Sequence, residues 1–289
     1  MKDFKSLLAS YKVIFFDAYG VIRNYNGLIP GIKNTFDWLE SMQKEYFIIT
    51  NDASRSPAKL VERYHAYGLQ NINADKFISS GMLAREFIEL KVKSGIVAYL
   101  GTASSAHYIK QPGVDIMPIQ DIDESNIERV TALVLLDDEG FDWNDGLNKA
   151  VNLLRWRSIP AIVANPDGAY PISKHDVGIA IGGLSWMIEK ITGKKFFRFG
   201  KPDSQIFMFA WELARQKVPD LTKKDILMVG DTLHTDILGG NKFGLDTALV
   251  LTGNILREDA ETRINSSGIV PTYICESAVI DSQMDMYNK

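Results

Sequence analysis

The sequence predicts an α/β fold: a parallel sheet flanked by helices, with a second, smaller α/β domain inserted into it. Short apolar runs end abruptly in polar or glycine-containing turns, as the buried strands of a parallel sheet do. Segments with the apolar spacing of amphipathic helices lie between these runs. The chain has 289 residues, close to twice the size of a typical domain.

The clearest apolar runs predict the strands of this fold. In chain order they are Val13 to Phe16, Tyr46 to Ile49, Ile96 to Leu100, Ala132 to Leu136, Ala161 to Ala164, Ile226 to Val229 and Thr247 to Leu251. Helices are predicted between Ser56-Pro57 and Gly68, along the stripe from Ile206 to Leu213, and from near Leu233 to Gly244. The first of these helices has a serine N-cap, a proline in its first turn and a glycine past its end.

Composition and charge exclude several classes of function. Hydrophobic residues make up 46% and charged residues 24% of the chain, as in an ordinary globular protein. The net charge of -4 argues against broad binding to nucleic acid or to an anionic membrane. No apolar stretch approaches the roughly 18 residues of a membrane span. Cys275 is the only cysteine; we expect it to be buried and inert, and it fits a reducing, cytoplasmic setting.

Polar residues follow three of the predicted strands. Asp17 follows the first strand, Thr50-Asn51-Asp52 the second, and Asp231 with Asp236 a later one, while Lys201 stands in a Gly-Lys-Pro turn before a helix. Ligands bind beyond the carboxyl ends of the strands in doubly wound sheets. Each feature alone is most often structural, because an aspartate at a strand end usually caps a turn or a helix.

Together these side chains form a complete set for phosphoryl transfer. A carboxylate can attack phosphorus to give an aspartyl-phosphate, and a lysine can neutralise the phosphoryl charge. Clustered carboxylates repel each other unless a hard, oxygen-seeking ion such as Mg²⁺ lies between them. The residues therefore predict a magnesium-assisted reaction at a phosphate.

Several segments, in their order along the chain, carry a family resemblance. They are Thr50-Asn51 with Ser54-Arg55-Ser56, Asn165-Pro166-Asp167, Gly200-Lys201-Pro202, Gly230-Asp231 with Thr235-Asp236-Ile237, and Leu249-Val250-Leu251-Thr252-Gly253. With Asp17 they resemble the motifs of the haloacid dehalogenase (HAD) superfamily, specifically its capped NagD-like and nitrophenylphosphatase-like branch. The resemblance implies a Rossmann-like core and a Mg²⁺-dependent phosphatase acting on a small phosphorylated metabolite, such as a sugar phosphate.

The resemblance also implies a metal site and a nucleophile. Asp17 would be the nucleophile and a metal ligand, and the backbone carbonyl of Tyr19 would be a second ligand. Asp231 would hold the Mg²⁺ directly or through water. Asp236 would support either the metal or Lys201.

Further residues would bind the substrate. Thr50 and Asn51 would bind the phosphoryl group, and Lys201 would neutralise it. Asp52 stands where relatives commonly have a second asparagine, so its carboxylate must be turned away, protonated or bound to a substrate hydroxyl. Tyr170, just before Pro171, stands where relatives use a substrate-contacting side chain.

The main departure from the family pattern is Tyr19. Phosphatases of this superfamily usually carry an aspartate there, as the general acid and base. A tyrosine is a poor base at neutral pH, so its presence predicts slow turnover. The alternatives are a pseudo-enzyme that binds phosphorylated ligands and a slow phosphotransferase. His234 and His175 are candidate replacements for the acid, although an exposed histidine is the commoner case.

Other polar residues are predicted to be structural or solvated. His65 and His107 are interpreted as structural. The acidic stretches Asp121 to Glu128 and Asp137 to Glu139 are interpreted as solvated surface.

About 150 residues separate Asn51 from Lys201, more than one crossover between strands needs. We therefore predict a discontinuous catalytic core over residues 1–79 and 193–289, and an α/β cap over residues 80–192. In relatives such a cap covers the active site and selects the leaving group. The predicted partner is the metabolite substrate, with a homodimer formed through the cap, as in relatives that pair in this way.

Overall fold

The computed structural model describes residues 3–173 and 176–280. The strands are β1 Val13–Phe16, β2 Arg23–Asn24, β3 Gly27–Leu28, β4 Glu45–Thr50, β5 Phe77–Ser79, β6 Ile96–Leu100, β7 Asp115–Pro118, β8 Val130–Leu135, β9 Ala161–Val163, β10 Ala169–Pro171, β11 Val177–Ile179, β12 Phe197–Arg198, β13 Ile226–Gly230, β14 Asp246–Val250 and β15 Tyr273–Cys275. The helices are α1 Phe4–Ala9, α2 Ile32–Ser41, α3 Pro57–Ala66, α4 Ser80–Lys91, α5 Trp143–Trp156, α6 Ile181–Thr192, α7 Ser204–Lys217, α8 Leu238–Phe243 and α9 Ala260–Ser267.

The described residues divide into two compact units. The first unit comprises the residues up to Thr50, Pro57–Ile78 and the residues from Lys201 onward. The second unit comprises Asn51–Ser56 and Ser79–Gly200. Each unit has a parallel sheet and a hydrophobic core of its own.

The first unit is built on a six-stranded sheet in the order β15-β14-β13-β1-β4-β5. The strands β15, β14, β13, β1 and β4 pair in parallel. All four residues of β1 are buried, which explains why the sequence shows an unbroken apolar run rather than an alternating one. On one side of the sheet Phe16, Phe36 and Tyr46 pack together, with ring centroids 5.2–6.4 Å apart.

The second unit is built on a five-stranded parallel sheet in the order β12-β9-β8-β6-β7. An antiparallel hairpin of β10 and β11 is added to it. Strand β12 pairs with β9, so this unit extends to Gly200 rather than stopping at the predicted residue 192. It also includes Asn51–Ser56, which lie within the range predicted for the core, residues 1–79. The roles of catalytic core and cap remain predictions.

The predicted α/β fold class is confirmed. The strands predicted at Val13 to Phe16 and Ile96 to Leu100 have the same bounds in the structure. The helix predicted from near Leu233 instead begins as a π-helical turn over Leu233–Ile237 and continues as α8. Gly244, with a φ of 88°, ends α8 as predicted.

The lengths of the helices and the burial of Cys275 test two further expectations. None of the helices among the described residues is long and apolar enough to cross a membrane. Cys275 is buried and unpaired, and burial raises the pKa of its thiol to about 11, so it is protonated and unreactive at neutral pH as expected.

Candidate active site

Asp17 and Asp231 follow neighbouring parallel strands of the first unit. Phe16, the last residue of β1, pairs with Val229 of β13, and the Asp17 amide donates a hydrogen bond of 2.8 Å to the Val229 carbonyl. This register places Asp17 beside Gly230, and Asp231 is the next residue; a carboxylate oxygen of Asp17 and one of Asp231 lie within 4.8 Å of each other. The sheet therefore brings these two carboxylates together, as the sequence predicts.

Lys201 joins Asp17 to Asp236. Its Nζ lies 2.6 Å from Asp17 Oδ1 and 2.7 Å from Asp236 Oδ1. The lysine is 2% exposed and Asp236 is fully buried. Burial alone would lower the pKa of Lys201, but the carboxylates of Asp17 and Asp236 outweigh it and hold that pKa above its ordinary value. The ammonium is therefore charged at any physiological pH.

Further hydrogen bonds engage some of the carboxylate oxygens of Asp17 and Asp231. Asp17 Oδ1 accepts a second hydrogen bond, of 2.6 Å, from the Ala18 amide. Asp231 accepts hydrogen bonds from the Thr232 hydroxyl at 2.9 Å and from the Asn254 amide at 2.6 Å. Among the described residues no hydrogen bond is made to Asp17 Oδ2. This oxygen is the one left for chemistry.

Two glycines let the backbone approach Asp231 closely. A Cβ atom at Gly20 would lie 2.1 Å from Asp231 Oδ2, and one at Gly253 would lie 1.9 Å from the same oxygen. Real Cβ atoms do not come so close, so any side chain at either position would displace the carboxylate. Gly20 also has a φ of 84°, which only glycine adopts without strain.

The buried carboxylates repel one another. Burial raises the pKa of Asp17 well above its ordinary value, and the charge of Asp236 raises it further, although Lys201 opposes the rise. Burial and the same neighbour raise the pKa of Asp231 to about 7. Three carboxylates against one ammonium leave a formal excess of two negative charges. The cluster thus favours a divalent cation.

The geometry of the cluster suits a small ion. Asp17, Asp231 and Asp236 each offer a carboxylate oxygen, and these oxygens all lie within 4.8 Å of one another. The donors are all oxygens, the ligand type that Mg²⁺ prefers. Asp236 also holds Lys201 and accepts a 3.1 Å hydrogen bond from the Thr232 amide, so both of its oxygens are already engaged with the protein. This favours the supporting role for Asp236.

Thr50 and Tyr19 belong to the same unit as this cluster. Thr50 is the last residue of β4, the strand beside β1, and it is buried. Tyr19 is half-buried, and its ring lies beneath the guanidinium of Arg23, with the Arg23 Cζ 5.1 Å from the ring centroid. Burial raises the pKa of Tyr19, so its phenol is protonated at neutral pH and is no base.

Asn51, Asp52 and Tyr170 belong to the second unit. The Asn51 side chain donates a 2.8 Å hydrogen bond to Asp167, and its carbonyl accepts one of 2.9 Å from the Ser80 hydroxyl. Asp52 Oδ1 accepts hydrogen bonds from the amide and the hydroxyl of Ser54, at 2.7 and 2.6 Å. This oxygen of Asp52 is therefore engaged in a turn of its own loop.

The acidic stretch at the end of β8 corrects an expectation. Asp137 and Asp138 are half-buried, not solvated, and Asp138 accepts a 3.2 Å hydrogen bond from the Tyr170 hydroxyl. Burial and the charge of Asp138 raise the pKa of Asp137 to about 6. The stretch follows the buried strand β8. The prediction of a solvated surface considered only the charges of the stretch and not its place at the end of that strand. By contrast Asp121 and Glu128 are exposed, as expected.

None of the three histidines that the structure describes is hydrogen-bonded or ion-paired to Asp17. His234 is exposed on the π-helical turn and lines a surface groove together with Arg263. His175 lies outside the described residues. His65 bonds to the Ile72 carbonyl at 2.8 Å and is structural, as expected, and the His107 ring packs against Tyr108.

Sequence reasoning missed the residues that act through their backbone or their position. Asn254, which no motif included, holds Asp231 through its backbone amide. Gly253 was named within a motif but given no role, and it makes room for the Asp231 carboxylate. Both follow the predicted strand Thr247 to Leu251, so the strand-end rule could have found these roles. Arg23 was missed because nothing in its spacing links it to Tyr19.

The sequence matches the haloacid dehalogenase-like hydrolase family over residues 14–115 and the HAD-hydrolase-like family over residues 198–279. A crystal structure named "possible sugar phosphatase, HAD superfamily", from Cytophaga hutchinsonii, is 65% identical, covers 97% of this chain and 99% of its own, and has a TM-score of 0.94. Chronophin of Mus musculus is 26% identical over 94% of this chain and 92% of its own.

A third relative completes the comparison. The ribonucleotide monophosphatase NagD of Escherichia coli is 27% identical over 92% of this chain and 96% of its own. These similarities extend over nearly the whole chain. They agree with the buried cluster of Asp17, Lys201, Asp231 and Asp236 at the end of a parallel sheet. The chain is a hydrolase of the haloacid dehalogenase superfamily and belongs to its NagD-like phosphatase branch.

Proposed function

We propose that the protein is a Mg²⁺-dependent phosphomonoester hydrolase that transfers the phosphoryl group of a small metabolite first to Asp17 and then to water. The observation that carries the proposal is the buried Lys201, which bridges Asp17 and Asp236 at 2.6 and 2.7 Å. The bridge fixes one oxygen of Asp17 and leaves Oδ2 for attack. The 65% identical protein named as a possible sugar phosphatase supports a sugar phosphate as substrate.

The metal would be held by Asp17 and Asp231, with the Tyr19 carbonyl as a further ligand and Asp236 in support. The excess of two negative charges and the raised pKa of Asp231, about 7, fit a divalent ion at this place. When bound, Mg²⁺ would neutralise charge on the phosphoryl oxygens.

The chain's own residues account for the transfer. Asp17 Oδ2 forms a bond to phosphorus while the bond from phosphorus to the leaving oxygen breaks, and the released alkoxide takes a proton from solvent. Lys201 stabilises the negative charge of the transferring group. A water oxygen then attacks the aspartyl-phosphate, releasing phosphate and restoring the Asp17 carboxylate. Thr50 and Asn51 would bind the phosphoryl oxygens.

Tyr19 should make both steps slow. Its phenol is protonated at neutral pH, so it cannot activate the hydrolytic water. The loss of general acid and base catalysis costs on the order of 10²–10⁴-fold in rate. Slow attack by water would let the aspartyl-phosphate accumulate, which is the condition under which another alcohol could accept the phosphoryl group. We further propose that the second unit is the cap that selects the leaving group, with Asp52 and Tyr170 contacting the substrate.

The test is phosphate release from a panel of phosphate monoesters, with Mg²⁺ and with a chelator. We compare the wild type with Asp17→Asn and Tyr19→Asp. We expect slow, Mg²⁺-dependent release by the wild type, none by Asp17→Asn, and release faster by at least about tenfold in Tyr19→Asp. Asp225→Asn is the matched control, because Asp225 immediately precedes β13 at the end opposite Asp231.

Two outcomes would contradict the proposal. If the wild type releases no phosphate from any ester while Tyr19→Asp is active, the wild type is not a phosphatase. Release that survives in Asp17→Asn would rule out the aspartyl-phosphate.

A further inference from the structure

Arg23 is tied through its backbone to the loop that follows the proposed nucleophile. Its carbonyl accepts a 2.6 Å hydrogen bond from the Gly20 amide, and its own amide donates one of 3.2 Å to the Ala18 carbonyl. Arg23 is also the first residue of β2, which forms a short hairpin with β3. The backbone thus places this arginine beside the loop of Asp17, within the same unit.

The guanidinium of Arg23 has no anionic partner within residues 3–173 and 176–280. Its Cζ lies 5.1 Å from the centroid of the Tyr19 ring, and no ion pair or side-chain hydrogen bond to a described residue accompanies this contact. Its Nε atom is buried without a hydrogen-bond partner. By contrast Arg198, also half-buried, forms an ion pair of 2.8 Å with Glu189. A buried donor of a charged group without a partner is costly, which indicates that a ligand supplies the partner.

The missing anion is not the reacting phosphoryl group. Lys201 already contacts Asp17 and is the cation next to the attacking carboxylate. Arg23 forms no ion pair with Asp17, Asp231 or Asp236, so its guanidinium is not part of that cluster. The loop that holds Arg23 nevertheless adjoins the cluster. Gly20 donates its amide to the Arg23 carbonyl, and a Cβ atom at Gly20 would lie 2.1 Å from Asp231 Oδ2. An anion at Arg23 would thus be a second group on the same substrate.

We propose that Arg23 determines specificity by binding a carboxylate or a second phosphate on the leaving group of the substrate. The inference rests on the proposed phosphatase activity and narrows its preferred substrates to esters whose leaving group carries an anion of its own. A guanidinium suits this role, because it can donate two parallel hydrogen bonds to a carboxylate or a phosphate. The contact is remote from the bond that breaks, so it is equally strong before and during the reaction. It should therefore lower KM and leave kcat unchanged.

The test uses two pairs of esters that differ by one anion. The pairs are 3-phosphoglycerate with glycerol 3-phosphate, and fructose 1,6-bisphosphate with fructose 6-phosphate. We expect Arg23→Gln to raise KM about ten- to a hundredfold for the ester whose leaving group carries an anion. KM for the ester whose leaving group is uncharged, and kcat for both esters, should stay the same. If KM rises for 3-phosphoglycerate, Arg23 binds a carboxylate; if KM rises for fructose 1,6-bisphosphate, Arg23 binds a second phosphate.

Two controls accompany this variant. Arg23→Lys keeps the charge and should restore part of the preference. Arg215→Gln removes another guanidinium of the first unit, one that lies over the Trp211 ring at 4.8 Å, and should leave all KM values unchanged. An Arg23→Gln variant that loses activity equally on both members of each pair, or that loses none, would overturn the proposal.

A binding experiment separates this proposal from the proposed function. Calorimetric titration of Asp17→Asn with 3-phosphoglycerate, with and without Arg23→Gln, measures anion binding without turnover. The ester panel with Tyr19→Asp decides about the phosphatase proposal, and the titration decides about Arg23 even if the wild type hydrolyses none of the four esters. The same titration is made with fructose 1,6-bisphosphate. If Asp17→Asn binds both ligands with the same affinity with and without Arg23→Gln, Arg23 does not have the proposed role.

Discussion

At the scale of single residues, Asp231 is a buried carboxylate whose repulsion by its neighbours lowers the stability of the folded protein. Its carboxylate is fully buried near two others, and its pKa is raised to about 7. Asp231→Asn removes the repulsion and keeps the shape. We therefore expect the variant to unfold at a higher temperature than the wild type in the presence of a chelator.

The same variant should lose its response to metal. Adding Mg²⁺ should raise the unfolding temperature of the wild type, because a ligand that binds only the folded state stabilises it, but should barely change that of Asp231→Asn. Thermal unfolding with MgCl₂ and with a chelator measures both effects. Asp225→Asn serves as the control that keeps the metal response. A wild-type response in Asp231→Asn would contradict the assigned metal site.

Asp137 predicts a pH dependence of stability in the second unit. Its pKa is raised from 3.8 to about 6 by burial and by Asp138. Its contribution is therefore most favourable below about pH 4 and is lost as the pH rises to about 6, because the unfolded chain ionises first. Asp137→Asn should remove this loss and raise the free energy of unfolding at neutral pH by about 1 kcal/mol, a value reduced for partial exposure.

Urea unfolding at several pH values tests this dependence. The control is Asp123→Asn in the same unit, where hydrogen bonds from Ser125 lower the pKa of the exposed carboxylate, so that this variant should lose stability at neutral pH. A slope between about pH 4 and pH 6 that is unchanged in Asp137→Asn would contradict the assignment.

At the scale of elements, the segment Asn51–Ser56 is held within the second unit although it follows β4 directly. Ser80 donates to the Asn51 carbonyl, and the Tyr108 hydroxyl donates to the Arg55 carbonyl at 2.8 Å. The Tyr108 ring covers Gly81, where a Cβ atom would lie 2.7 Å from ring atoms. The segment therefore depends on a few buried hydrogen bonds.

Tyr108→Phe should loosen this segment and leave the packing intact. The phenylalanine ring still covers Gly81, but the Arg55 carbonyl loses its donor. We expect trypsin to cleave after Arg55 up to about tenfold faster than in the wild type. Tyr46→Phe is the matched control, since Tyr46 is buried and its hydroxyl donates to the Asn71 carbonyl at 2.9 Å in the first unit. Equal cleavage of the two variants would show that the bond from Tyr108 does not hold the segment.

The elements that sequence could predict are those whose burial leaves a pattern. Strands β1 and β6 are buried at every residue and read as apolar runs. Strand β12 has only two residues, with Phe197 exposed, and the hairpin of β10 and β11 is largely exposed, so neither shows a pattern. Short pairings of this kind are decided by tertiary contacts.

The same distinction holds for the site. Asp17 and Asp231 were found because a strand end positions them, and the structure places them together. The contact between Arg23 and Tyr19 depends on the path of a short hairpin, which no spacing rule gives. The half-burial of Asp137 likewise depends on what packs beside the end of β8.

At the scale of the whole molecule, exposed apolar side chains of the second unit predict self-association. Ile172, Val177, Ile179 and Trp186 are each at least half exposed. A Cβ atom at Gly168 would lie 2.6 Å from the Trp186 ring, and one at Gly183 would lie 3.2 Å from Ile179, so the hairpin of β10 and β11 adjoins α6. Contiguous exposed apolar surface of this kind is typical of an interface.

We expect the wild type to form a homodimer through this surface and Ile179→Lys to be monomeric, as measured by sedimentation equilibrium. Val270→Lys is the control, because Val270 is equally apolar, is 63% exposed and belongs to the first unit. A wild type that is monomeric at all accessible concentrations would contradict the prediction.

The route of the chain between the two units limits how the protein can be recombined with its relatives. The chain changes unit after Thr50, after Ser56, after Ile78 and after Gly200. A chimera that exchanges residues 79–200 alone would import a foreign Ser80 and Tyr108 while retaining the native Asn51 and Arg55, whose carbonyls those two side chains hold. An exchange of the whole second unit should therefore carry residues 51–56 together with residues 79–200, as two separate segments inserted into one host chain.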